Sequence, residues 1–473
     1  MKTAAPGEKS EIEDPFISQR VGASPSQRRS WTLVLVAIGT GALSALIVRP
    51  PTSVEPTTRA EAAASLVRST PRPPDQTETA LRFYLARVRR DPEETRSQNA
   101  LAELYLRRVR ETGNEDHLPL ALKAARASLA SVAAEQNSGG LTALALAEFA
   151  NHDFAAARDH AEQLVALHPK KSTPYVILGD ACLELGDYQR AQDAFQKMEQ
   201  FGENDASTET RLARLAILRG ETESARQHFS AALALLRALQ TPPREPIAWC
   251  LWQLGDLAFG AGDYPTAERH YRDGLATVPE DFRNLASLGR LAAARGDPAT
   301  AITHLEQAVR IAPAVDSMAA LGDLYHLVGR SADATARYEL VAQLGEHSSK
   351  VHGTPFNRAW ANFQADHDLN PEAAYALAKA EYAAGRRDIY GADALAWTAL
   401  KADHLAEAEV AIKEALTLGT RDARLFYHAG MIARAAGRRT DAARYLGQAL
   451  DLNPGFDALQ SPLARAALQE VSR

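Results

Sequence analysis

Thirteen histidines and two cysteines are the residues of this 473-residue chain that invite a search for chemistry. No His-Glu-x-x-His pair, Walker loop, nucleophile elbow or Cys-x-x-Cys pair occurs. The tightest histidine-bearing cluster is Asp366-His367-Asp368, and three adjacent residues on a turn cannot converge on one ion as spaced ligands do. These side chains therefore read as polar surface, with no metal and no cofactor expected. Cys182 and Cys250 lie two repeats apart, roughly 20 Å if packed helices are about 10 Å apart, too far for a disulfide. Both read as small buried apolar residues.

The residues that do recur are small ones, and they define the elements. From Ala248 to Pro313 one pattern is written twice, thirty-four residues apart. Leu254, Gly255, Ala258, Gly262, Tyr264, Ala267, Tyr271, Gly274 and Pro279 are answered by Leu288, Gly289, Ala292, Gly296, Ala301, Leu305, Ala308 and Pro313. Gly255 with Ala258, and Ala267 with Gly274, place small residues on facing sides of two helices, where the two backbones are expected to approach. Gly262 sits where the first helix must stop in the left-handed conformation, and Pro279 closes the second. Regular copies begin near Ser138, Ser172 and Ala206, and a gap of forty-two residues precedes the copy at Ala248. Others follow near Val315, Thr354, Ile389 and Ala423, and a helix from Asp457 to Val471 is expected to cap the end.

A period of this length, with a small residue inside each helix and a closing Pro, resembles the tetratricopeptide repeat. The resemblance covers about residues 77–473 and implies an all-α, right-handed superhelix, or α-solenoid. It further implies that the first helix of each repeat lines a concave groove, with the residue after the small one pointing inward. Those residues are Asp180, Arg214, Asp256, Arg290, Asp323 and Asn362. Their signs alternate, which is expected of a charge ladder between neighbouring helices, of a polar track holding an extended peptide, or of both. Trp249, Trp252 and Phe259 fall on the groove side of one helix: either they are aromatic anchors for a partner or the long helix through Ala231 to Leu239 covers them.

Ahead of the repeats the composition changes. Residues 1–30 are polar and read as a disordered cytoplasmic tail. Residues 31–48 carry no charge between Arg28-Arg29 and Arg49, and eighteen helical residues span about 27 Å, enough to cross a bilayer. A single transmembrane helix is the first reading, and a cleaved signal peptide the second. Residues 49–76 are a Pro-rich linker. The Arg pair favours an N-terminus held in the cytoplasm, so the repeats are expected to face the periplasm or exterior of a single-pass protein of the cytoplasmic membrane.

The formal net charge is −6, and residues 1–49 hold six Lys/Arg against four Asp/Glu, so the remainder carries −8. An acidic body argues against nucleic acid as partner. The chain thus reads as a membrane-anchored scaffold, not an enzyme, holding a protein or peptide in its groove. Two alternatives stand beside this: an accessory factor for assembly or maturation of exported proteins such as cytochromes, and a soluble periplasmic repeat protein after signal cleavage.

Overall fold

The computed structural model describes residues 76–202, 205–352 and 358–473. The expected tail, membrane helix and nearly all of the linker lie outside these residues, and among the described residues no helix is long and apolar enough to cross a membrane.

Twenty-two helices make up the described chain. The first, α1 (Gln76–Arg90), leads into ten hairpins. They are α2 (Thr95–Thr112) with α3 (His117–Ser131), α4 (Ser138–Ala150) with α5 (Phe154–Leu167), and α6 (Ser172–Glu184) with α7 (Tyr188–Phe201). Next come α8 (Ala206–Leu218) with α9 (Thr222–Arg237), α10 (Arg244–Gly260) with α11 (Tyr264–Thr277), and α12 (Phe282–Ala294) with α13 (Pro298–Ile311). The last four are α14 (Val315–Leu327) with α15 (Ser331–His352), α16 (Arg358–Asp366) with α17 (Pro371–Ala383), α18 (Ile389–Lys401) with α19 (Leu405–Ala415), and α20 (Ala423–Ala435) with α21 (Arg439–Leu452). A final helix, α22 (Gln460–Val471), packs on α21. It starts after Asp457, whose side chain accepts the Leu459 and Gln460 amides at 2.8 Å.

Several hairpins turn by the same local chemistry. At the corner of α10 and α11, Gly262 has φ +74°, where a Cβ would be strained, and the Asp263 carboxylate then caps α11 by accepting the Thr266 amide at 3.2 Å. Gly296 with Asp297, and Gly186 with Asp187, repeat the device. His152 and Asp403 take positive φ at the equivalent corners without being glycine.

The small residue within the first helix makes room chiefly for a side chain. A Cβ on Gly255 would overlap the Tyr271 ring, and one on Gly179 the Phe195 ring. At Gly289 and Gly430 it would lie 2.7 Å from Cγ of Leu305 and Leu446, and at Gly322 2.6 Å from the ring of Tyr338. In all five hairpins the intruding residue comes sixteen positions later. The expected backbone approach holds at Gly289 and Gly430, where a Cβ would also lie 3.1 Å from the Ala301 carbonyl oxygen and the Leu446 nitrogen, but the main use of the glycine is a slot: Tyr271, Phe195 and Leu305 are fully buried because it leaves them room. Gly274 faces the side chain of Asn284, and so serves the junction with the next repeat. Cys182 and Cys250 are buried free thiols, pushed up by burial to about 11 and about 12.

First helices of successive hairpins pack side by side. The stack also returns on itself, for corners of early hairpins meet loops of late ones. Tyr188 Oη accepts the Ile389 amide at 2.7 Å, the Thr420 hydroxyl donates to the Leu218 carbonyl, and Asn453 Nδ2 donates to the Phe259 carbonyl at 2.8 Å. His347 Nε2 lies 3.1 Å from Asp116 in the same way. A seam thus joins residues about two hundred positions apart.

Candidate functional site: the inner lining of the stack

Two electrostatic zones line the first helices. The earlier zone is balanced. Asp180, 3% exposed, accepts from Arg211 Nη2 at 2.6 Å and Nε at 3.0 Å, and Arg211 is held in turn by the Ser207 carbonyl at 3.0 Å. Glu184 accepts from Arg214 and, across the seam, from Arg386 at 2.9 Å. Arg386 also donates to Glu381, which accepts from Arg358, and Arg358 reaches Asp388 at 2.6 Å. Burial pushes the Glu184 carboxyl up, but Arg214 and Arg386 outweigh it and hold the group down at about 2. Four carboxylates and four guanidiniums pair here, leaving Arg214 Nη1 without a partner, so the zone has a structural use: it pins the two sides of the seam.

The later zone is not balanced. Asp366 is its hub, for one carboxylate accepts from Trp397 Nε1 at 2.8 Å, from Gln460 Nε2 at 2.5 Å and from Arg424. Those donors sit on α18, α22 and α20, so side chains from four first-row helices converge at one point of the concavity. Arg424 lies in the field of Asp366, Asp457, Asp316 and Asp393, and its pKa is raised accordingly. Burial, with like charge from Asp366, raises the carboxyl of Asp457 above the usual range. His428, fully buried, stacks on Trp397 with ring centroids 4.2 Å apart and bonds Asp393 through Nδ1 at 2.9 Å.

Among the described residues no group of three or more His, Cys, Asp or Glu side chains is placed to hold a metal ion. Family models described as tetratricopeptide repeat match residues 142–206, 204–280, 253–316 and 287–346. Residues 142–346 are tetratricopeptide repeats. The chain is 25% identical over 210 residues to Superkiller complex protein 3 of Mus musculus, covering 44% of this chain and 13% of that protein's length. Among solved structures it is similar to PilW, described as a type IV pilus biogenesis factor: identity is 17%, 44% of this chain and 92% of that chain are covered, and the TM-score is 0.37. A tetratricopeptide repeat protein of Parabacteroides merdae is 16% identical over 57% of this chain and 99% of that one, with a TM-score of 0.32.

Against the ladder expected of the tetratricopeptide repeats, one step forms: Arg290 Nη2 donates to Asp256 at 2.9 Å, and Asp256 also accepts from Tyr271 at 2.6 Å and Ser287 at 3.1 Å. Asp180 and Arg214 do not pair, because Arg211, one turn earlier, takes Asp180, and Glu184, one turn later, takes Arg214. Asp323 accepts from Tyr338 at 2.8 Å and lies 2.7 Å from His367 Nε2. Asn362 Oδ1 has no partner. The aromatic trio is divided. Trp249 is buried edge-on against Phe229 of α9, and Phe259 is buried against Tyr264, so neither is an anchor open to a partner. Trp252 remains half-buried, its Nε1 donating to Ser287 at 3.0 Å.

The sequence reading missed Asp316, Arg424 and the Glu184–Arg386 crossing. The first two share a signal that could have found them, since each is the second residue of its first helix. The crossing has no local signal, because it depends on how tightly the stack curves.

Proposed function

We propose that this protein is a tethered binding scaffold whose concave lining holds a segment of a partner protein. The observation that carries this reading is the later zone: Arg424 and Arg290 keep 40% and 44% of their side-chain surface, and Asp256 30%, although they line the inside of the stack. Polar groups that a fold needs only for itself are sealed, as in the earlier zone. Groups left solvated inside a concavity are available to a ligand.

The tether is residues 31–48, and the repeats face the exterior or periplasm. An alkaline carbonate wash should leave the full chain in the membrane fraction, and a reporter active only outside the cytoplasm should be active when fused after Arg473. A carbonate-soluble product starting near Ala45 overturns the tether in favour of signal cleavage.

A further inference from the structure

The later zone has a sign, and the sign selects a ligand. Asp366 bonds Arg424, and Asp316, Asp393 and Asp457 act on the same guanidinium through space. Arg290 also senses Asp316 but is already bonded to Asp256, and His367, which senses Asp366, is bonded to Asp323. His428 is bonded to Asp393. The earlier zone shows that this fold can match acid to base one for one when only packing is required. Here it does not.

The unused hydrogen-bonding capacity has the same bias. Gln460 is 4% exposed and its Nε2 is fixed on Asp366, yet its Oε1 accepts nothing. Asn362, one helical turn before Asp366 and so on the same face, has an Oδ1 without a donor. Asp316 is exposed and has no hydrogen-bond or ion-pair partner among the described residues. Against these acceptors stand Arg424 Nε, a buried donor in need of a partner, and the buried His428 Nε2, whose role depends on the ring's tautomer. Leaving a buried acceptor unmade is costly, so a group rich in N–H donors and carrying positive charge would gain at every contact. A guanidinium or an ammonium has that chemistry and a carboxylate or phosphate has the opposite.

We infer that the cluster of Asp316, Asn362, Asp366, Asp457 and Gln460 is a subsite for a lysine or arginine side chain projecting from a peptide segment of the partner protein. This rests on the groove reading above and gives its ligand a charge. Asp366 and Gln460 position one another, while Asp316 meets the incoming cation directly.

The test uses a displayed library of random dodecapeptides selected on the full chain. Enriched peptides should share a Lys or Arg, and changing that residue to Met should weaken binding about tenfold or more, the scale of one charge-assisted contact. Asp316→Asn should weaken the same peptides to the same degree with no change in melting, since Asp316 has no partner in the fold. Asp159→Asn, which removes an equal charge from the exposed face of α5, should leave binding unchanged and so separates a site from general attraction. Peptides without a basic residue, or peptides indifferent to Asp316→Asn, overturn the cation subsite and leave the groove reading standing. If no peptide is enriched, the groove reading falls and takes the subsite with it.

Discussion

Tyr271 is fully buried, and its ring occupies the place where a side chain at position 255 would begin. Gly255→Ala must therefore displace a packed aromatic whose hydroxyl is also bonded to Asp256. Overpacking of this kind costs about 1–3 kcal/mol, and urea unfolding should record it. Gly447, inside α21 with nothing near its missing Cβ, supplies the contrast: Gly447→Ala should stabilise by about 0.5–1 kcal/mol through helix propensity alone. Equal effects at the two positions would mean that the slot for Tyr271 does not matter. The glycine was legible in the sequence because it recurs at a fixed period; what it makes room for was not, because a period tells which positions are alike and not which atom enters the gap. The same limit explains Trp249. Its place on the first helix could be read, but its contact with Phe229 depends on α9 lying across it.

At the scale of the helix, the repeat fixes which face turns inward and leaves the pairing between turns open. Asp180 and Arg214 both lie on the inner face, as read, yet long arginine side chains find carboxylates one turn away from the expected rung. The step from α14 to α16 uses a titratable partner instead, His367 on Asp323, with the Tyr338 hydroxyl on the same carboxylate. Burial pulls the imidazole down, but the bond to Asp323 and its charge outweigh burial and lift His367 above 6.5. A group raised in the folded state contributes stability that is fully present below its unfolded value, and the contribution is lost as pH rises through the folded one. The stability difference between the native chain and His367→Gln should accordingly be largest below about pH 6.5 and shrink as pH is raised beyond it. Urea unfolding across that range decides the matter, and a difference that does not vary with pH would leave His367 as a packing residue only.

At the scale of the molecule, a stack of hairpins ordinarily holds together through neighbours alone, and this one adds contacts spanning 189 to 231 residues. Nothing periodic announces them, since each depends on the curvature summed over several repeats. Asn453 is the most committed of the seam residues: 1% exposed, it donates to the Phe259 carbonyl and accepts from the Tyr264 hydroxyl at 2.7 Å. Thr420, also 1% exposed, donates to the Leu218 carbonyl. The Leu218 carbonyl lies at the end of α8, where no local backbone donor reaches it, whereas the Phe259 carbonyl at the end of α10 also accepts the Gly262 amide at 2.9 Å. Asn453→Ala with Thr420→Val leaves the Leu218 carbonyl without its donor and the Tyr264 hydroxyl without its acceptor, and each can find water only if the rims part. The cost of burying such a polar group unmet, about 1–3 kcal/mol, exceeds what a local opening of the stack needs to supply. The double variant should therefore keep its helical circular dichroism while its radius of gyration in solution scattering rises and the Ile389 amide exchanges faster, because that amide bonds only across the seam to Tyr188. An unchanged radius with unchanged exchange would show the Glu184–Arg386 crossing to be sufficient by itself. In that case Arg386→Met, which leaves Glu184 with Arg214 alone, becomes the variant that opens the stack.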